Sequence, residues 1–241
     1  MDGYSTGMEQ LTDGLWRWTA RHPEWHPGEF GAEVASFAAD ADDGRGGGML
    51  LLIDPLLPSG EGGDGGDVAA PVLDAIDAAL GDRLAILISV PYHVRSSEEL
   101  WRRYRNDAET TIHGHPAAAK RLEDKTAFRA IEPGAALPGG VTAHAIGRPR
   151  RHEMPLHLPS HDALAFGDAV VEHEGALKVW ASEKVDAKRE RFYRERFNPT
   201  LEPLLELPFD AVLPTHGGPL LKNGKRALRK ALDDPPWYHH G

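Results

Sequence analysis

The sequence predicts an α/β domain in which β-sheets are covered on the outside by helices. Three observations point there. Strand-like segments open the chain and turn at Asp/Gly-rich stretches. From about residue 70 onward, apolar runs of strand length alternate with segments whose apolar residues recur at helical spacing. The 241 residues suffice for one such domain with a substantial core, and no internal repeat or clear linker divides 1–241.

Residues 11–19, with alternating large side chains, read as an opening strand, and 21–28 as a loop rich in Pro, His and Trp. Segments 33–38 and 49–53 form a hairpin across the turn 40–48, and Asp54-Pro55 closes its second strand. Residues 59–67 read as a mobile surface loop. Its glycines do not make a phosphate loop, because no Lys-Ser or Lys-Thr follows and its acids repel phosphate. Val72, Leu73, Ile76 and Leu80 share one helix face, ended by Gly81. Residues 85–90 form a buried strand. Ser96 and Glu99 suggest a capping box for a helix that turns Leu100, Trp101 and Tyr104 inward.

A short strand at 110–112 precedes a helix over 117–122 opened by Pro116. Strands at 128–131 and 141–146 are joined by the Pro/Gly turn 132–140, and 155–158, 163–166 and 169–172 continue the β pattern. A charged helix over 186–197 buries Phe192, Tyr193 and Phe197. A last strand at 211–213 and an amphipathic helix at 222–232 complete the series.

Composition narrows the function classes. The formal charge of −10 argues against a nucleic-acid-binding surface. No apolar run approaches the roughly 20 residues that cross a bilayer, and the first ten residues have no signal-peptide pattern, so the expectation is a cytoplasmic protein with no membrane partner. Without cysteine there is no disulfide, zinc ribbon or cysteine nucleophile. The expected partner is a small-molecule ligand; the oligomeric state is open.

Four segments carry the chemistry: Leu51-Leu-Ile-Asp54, Val90-Pro-Tyr-His-Val-Arg95 at the end of the buried strand, Gly167-Asp168, and Leu213-Pro-Thr-His-Gly-Gly218. In this order and with these surroundings the chain resembles the metallo-β-lactamase superfamily over nearly its whole length. The resemblance implies a four-layer αββα sandwich of two mixed β-sheets flanked by helices, with the site at one sheet edge. It also implies a degraded metal cage. Where the family carries His-x-His-x-Asp-His, this chain has Pro91, His93, Arg95 and Ser96. Counting back from Gly167-Asp168, Pro149 takes the slot of a further histidine and Glu153 that of a serine.

By that resemblance His93, Asp168 and His216 survive as candidate metal ligands and catalytic residues. They leave open one zinc or another divalent ion, and the lost ligands and nearby arginines weigh against it. In a metal-free version Asp168 would be the base, His216 or His93 the proton shuttle and Arg95 the anion holder. Candidate substrate-binding residues are Glu153, expected to pair with Arg95 across the opening, then His152, Arg148 in the run 148–151, and Trp25 as an apolar wall in a loop over the mouth. At most one of His152 and Glu153 is expected to face the site.

Other histidines read as structural: His113 and His115 at a strand-to-helix turn away from the metal edge, His157 in a strand, His161 in a turn, and His239 and His240 in a disordered end. No serine lies in a nucleophile-elbow context. Two functions remain: a hydrolase-like enzyme acting on a small ester, lactone or thioester, or a non-catalytic ligand-binding or scaffolding descendant of the fold that binds no metal.

Overall fold

A computed structural model describes residues 7–27, 29–42, 44, 46–60 and 67–239. Most of the loop 59–67, together with Gly28 and His240, lies outside the described residues.

The opening segment is two strands. β1 (Glu9–Thr12) and β2 (Leu15–Arg21) flank Asp13-Gly14, with Gly14 at φ +68°. The alternation hid this turn because Leu11 and Leu15, on either side of it, pack against the same core. β3 (Glu33–Ala41) and β4 (Met49–Ile53) form the expected antiparallel hairpin, Phe37 opposite Ile53. Helices α1 (Ala70–Ala79) and α2 (Ser97–Tyr104) then carry the chain to β5 (Arg83–Ile88) and β6 (Glu109–Gly114), which add parallel to β4, followed by β7 (Phe128–Ala130). One mixed sheet results, in the order β1-β2-β3-β4-β5-β6-β7.

The second half supplies β8 (Thr142–Ala143), β9 (Leu156–Leu158), β10 (Ala163–Phe166), β11 (Val170–His173), β12 (Ala176–Val179) and β13 (Ala211–Pro214). A second mixed sheet has the order β13-β10-β9-β8, with β13 parallel to β10, while β11 and β12 make a separate ribbon. The pattern did not reveal β12, because Lys178 breaks its apolar run. The charged helix is α3 (Ala187–Phe192), which continues through a π turn (Tyr193–Phe197) into α4 (Asn198–Leu201); α5 (Gly224–Asp233) follows β13.

Strand periodicity assigns every layer, since successive side chains point to opposite faces. Leu51, Ile53, Ala85 and Leu87 meet Leu156, Leu158, Ala165 and Leu213 between the two sheets. Leu50, Leu52, Leu84 and Ile86 face the other way, against Ile76 of α1 and Leu100 and Trp101 of α2. Leu164, Phe166 and Val212 pack under Phe197, Leu201 and Leu228. The layers run helix, sheet, sheet, helix, as the resemblance implied. Each fully buried Leu, Ile or Phe contributes about 1.5–3 kcal/mol.

Three local expectations fail for stated reasons. No capping box forms, because the Ser96 hydroxyl instead accepts from the Leu57 amide at 3.0 Å and ties α2 to the segment after β4. Phe192 is 39% exposed, since the π turn shifts the helix register and only Tyr193 and Phe197 reach the core. The helix opened by Pro116 is a 3₁₀ turn, Pro116–Arg121.

Candidate functional site

Asp54 ends β4 with φ +47° and is 1% exposed. Its Oδ1 accepts from the Ser89 amide at 2.8 Å, and its Oδ2 accepts from the Ser89 hydroxyl and from Nδ1 of His93 at 3.0 Å. Both ring nitrogens of His93 face carboxylates, which only accept; the 3.0 Å contact to Asp54 outcompetes the 3.5 Å one to Asp168, so the neutral ring carries its proton on Nδ1 and leaves Nε2 as a lone pair. His93 itself lies in the 3₁₀ turn Pro91–Val94 after β5, buried at 3% exposure. Burial and the charge of Arg95 lower its pKa, against the opposing pull of Asp54 and Asp168.

Asp168 follows β10 through Gly167. A Cβ at Gly167 would stand 2.8 Å from Ser89 Oγ and 3.0 Å from Val90 Cγ1, so this approach needs glycine. His216 follows β13; the Thr215 amide donates to Phe166 O at 3.1 Å and the Glu172 amide to His216 O at 2.9 Å, which fixes the loop. The three residues selected from the sequence converge. Asp168 Oδ1 lies 3.5 Å from Nε2 of His93 and 3.5 Å from Nε2 of His216. Its Oδ2 accepts from the Tyr92 hydroxyl at 2.5 Å and from Arg150 Nη1 at 3.2 Å. Burial alone would raise the Asp168 pKa; His93, His216 and Arg150 outweigh it and hold the carboxyl well below the usual range.

His93, Asp168 and His216 line one cavity of about 370 Å³. Trp25 forms part of its wall, in the loop over the mouth, with Arg21 stacked 5.3 Å from its ring. His22 of the same loop, Phe30, Tyr92, Trp180 and Tyr238 also line it. His239, expected to be disordered, lines this cavity too and packs on Phe30, at 5.6 Å between ring centres. It is carried there by Trp237, whose amide donates to Val179 O at 2.8 Å and whose carbonyl accepts from Ala181.

The expected Arg95–Glu153 pair does not form. Arg95, at φ +44°, turns inward, and its Nη1 donates to Ala35 O at 3.3 Å and Asp54 O at 2.8 Å. Glu153 is 1% exposed, and its Oε1 accepts from the Ala169 amide at 3.0 Å, pinning the loop that carries Asp168. Burial first, and then the nearby Asp168 charge, pushes its pKa up to about 7 although Arg150 opposes.

His152 and Glu153 both line a second cavity of about 260 Å³, which shares Tyr92 and Ser182 with the first. The strand rule fails there because 150–154 is a turn rather than a strand. Arg148 is exposed and lines neither cavity; Arg150 and Arg151 line the second one instead. His113 and His115 sit on β6 and in the turn after it, as expected. The His115 ring nevertheless stacks 4.6 Å from His152, so this turn is closer to the site than its sequence suggested. Sequence reasoning also missed Tyr92 and Trp180, marked only by their positions beside His93 and at the end of an unforeseen strand, while Arg150 entered only as one of the run 148–151.

The sequence matches no protein-family model and no curated protein. Solved structures do match. A β-lactamase domain protein from Burkholderia ambifaria is 14% identical, with a TM-score of 0.61 over 94% of this chain and 76% of that one. A metallo-β-lactamase family protein from Thermus thermophilus is 15% identical, with a TM-score of 0.56 over 93% and 80%. The fold is that of the metallo-β-lactamases. A chemotaxis sensor described as a peroxy diiron species shares it, at 14% identity and a TM-score of 0.57 over 95% of each chain.

Metal ions belong to many proteins of the metallo-β-lactamase fold, so the donors here must be tested against one. Among the described residues, no three His, Asp or Glu side chains are arranged to hold a metal ion. Asp168 Oδ2 is already taken by a phenol and a guanidinium. Arg95 brings a positive charge toward His93 and His22. A dication would gain few donors and meet two guanidinium charges, so the residues present do not fit the ion.

Proposed function

We propose that this chain is a cytoplasmic, metal-independent hydrolase-like enzyme acting on a small ester, lactone or thioester. The single observation that supports the reading is the convergence of His93, Asp168 and His216 on one aromatic-walled cavity, with His93 oriented from behind by Asp54. An imidazole whose Nδ1–H is held by a buried carboxylate presents Nε2 as a base.

In this reading His93 is the base, and Asp168, already ionised and engaged, orients and balances charge; the metal-free scheme drawn from the sequence had given Asp168 the base role. His93 Nε2 takes a proton from water as the water oxygen bonds to the carbonyl carbon. The carbonyl oxygen gathers charge near the Arg150 guanidinium, on the side of the Tyr92 hydroxyl. The C–O or C–S bond then breaks, and the leaving alkoxide or thiolate takes the proton back from His93. His216, on the other side of Asp168 Oδ1, is placed to hold a proton during the exchange.

The test is a panel of chromogenic esters, lactones and thioesters with protein stripped of metal by a chelator. Turnover that survives chelation and falls at least about 100-fold in His93→Gln supports the proposal. Turnover that returns only with added zinc overturns it. One observation favours the alternative of a non-catalytic ligand-binding descendant: both Asp168 Oδ2 contacts come from the protein's own Tyr92 and Arg150. Ligand binding without turnover on any of the panel would establish it.

A further inference from the structure

We propose that the ligand of this site is a planar aromatic ring joined through a carbonyl to a short arm ending in an oxyanion. The carbonyl rests on the reading above; the ring and the anion rest on separate observations.

The ring comes from the composition of the larger cavity. Trp25, Phe30, Tyr92, Trp180 and Tyr238 line it, and no Leu, Ile, Val or Met is among the described residues that do. Phe30 meets Trp180 at 6.0 Å and Trp237 at 4.6 Å between ring centres, both edge-on, so the wall is built of interlocked rings rather than branched aliphatics. Such a wall gains from a second flat ring through offset and edge-to-face contacts, which a puckered aliphatic ring lacks.

The anion comes from the smaller cavity, which is lined by Arg150. Its guanidinium lies 5.1 Å from the centre of the Trp180 ring, its Nη1 donates to the Tyr92 hydroxyl at 3.1 Å, and its Nη2 is buried without a partner. A buried guanidinium N–H left unpaired is costly, and an oxyanion satisfies it with a charge-assisted bond. Beyond it lie Arg151, whose Nε donates to His152 Nε2 at 3.1 Å, and His152 itself. Glu153 is the acid in this lining, and its Oε1 is engaged by the Ala169 amide while Oε2 is unpartnered. The two cavities meet at Tyr92 and Ser182, beside Asp168. A ligand spanning both would carry its ring on one side, its anion on the other, and its carbonyl at the junction.

N-benzoylglycine is a non-labile probe of this shape. Its cyclohexanecarbonyl analogue removes the planar ring, and its primary amide, N-benzoylglycinamide, removes the charge without adding an ester. Binding to the full chain is read by calorimetry and by the fluorescence of the wall tryptophans. The expected result is that N-benzoylglycine binds at least about tenfold more tightly than either relative. Arg151→Gln, an exposed position chosen to spare the fold, should weaken the acid about fivefold and leave the primary amide unchanged. Trp180→Leu should bring the benzoyl and cyclohexyl compounds level. Equal affinity for all three probes, or no binding at millimolar concentration, overturns the proposal. The ester panel separates the two readings: binding without turnover removes the hydrolase and keeps this ligand class, while turnover of aliphatic uncharged esters with no probe preference does the reverse.

Discussion

Asp54 Oδ2 accepts from His93 Nδ1 at 3.0 Å while both of its oxygens also serve Ser89. One buried carboxylate therefore positions the site's histidine and closes the junction of β4 and β5. Asp54→Ala would leave the Ser89 amide and hydroxyl and the His93 N–H without an acceptor. Stability should fall by about 3 kcal/mol, read as a lower urea midpoint at unchanged slope. A loss under about 1 kcal/mol would show that the network contributes little.

Gly167 should not tolerate a methyl group. Its Cβ would press on Ser89 Oγ at 2.8 Å and on Glu153 Cδ at 3.3 Å. Gly167→Ala should cost about 1–3 kcal/mol and displace Asp168, with probe binding impaired more than the melting temperature alone explains. Wild-type affinity in this variant would contradict the packing described.

His113 gives stability an acid limit. Burial, followed by Arg129, lowers its pKa to about 4, so the folded chain holds it neutral while the unfolded chain protonates near 6.5. The unfolded state then binds more protons between pH 6.5 and 4, and stability falls as pH drops through that window, by at most about 3 kcal/mol. His113→Gln should flatten this slope in thermal melts taken from pH 7 to 4; an unchanged slope would assign it elsewhere.

Glu153 has the opposite sign. Its pKa, raised to about 7, makes the folded state the better proton binder between pH 4.5 and 7. Stability from this group is complete below pH 4.5 and is lost as pH rises through 7, again by at most about 3 kcal/mol. Glu153→Gln keeps an oxygen for the Ala169 amide and removes the titration. The variant should gain relative to wild type at pH 8 and not at pH 4.5.

Zinc should leave the melting temperature unchanged. A site filled at 100 times its Kd would add about 2.7 kcal/mol. Stoichiometric zinc in the purified chain, or a rise on titration that disappears in His216→Ala, would refute the donor argument.

Much of the architecture was legible in the sequence because strand and helix periods differ. The hairpin of β3 and β4, the buried β5 and the inward face of α2 all follow from side-chain spacing. The turn at Asp13-Gly14 and strand β12 were not legible, since the first interrupts a pattern that continues across it and the second contains a charged residue. For the site, the resemblance carried by four short segments in order was enough to single out His93, Asp168 and His216 as candidates, and they do line one cavity. It was not enough to orient Arg95, because a positive φ turned that side chain inward, nor to single out Arg150 within the run 148–151 or find Trp180, on which it stacks.

The walls around Asp168 come from both halves of the polypeptide: Trp25 and Phe30 border the first sheet, Trp180 and Tyr238 the ribbon beside the second. Neither half encloses the space by itself. A ligand bound here would therefore clamp the two sheets together, and an intermediate with the sheets parted would have nothing to bind it with.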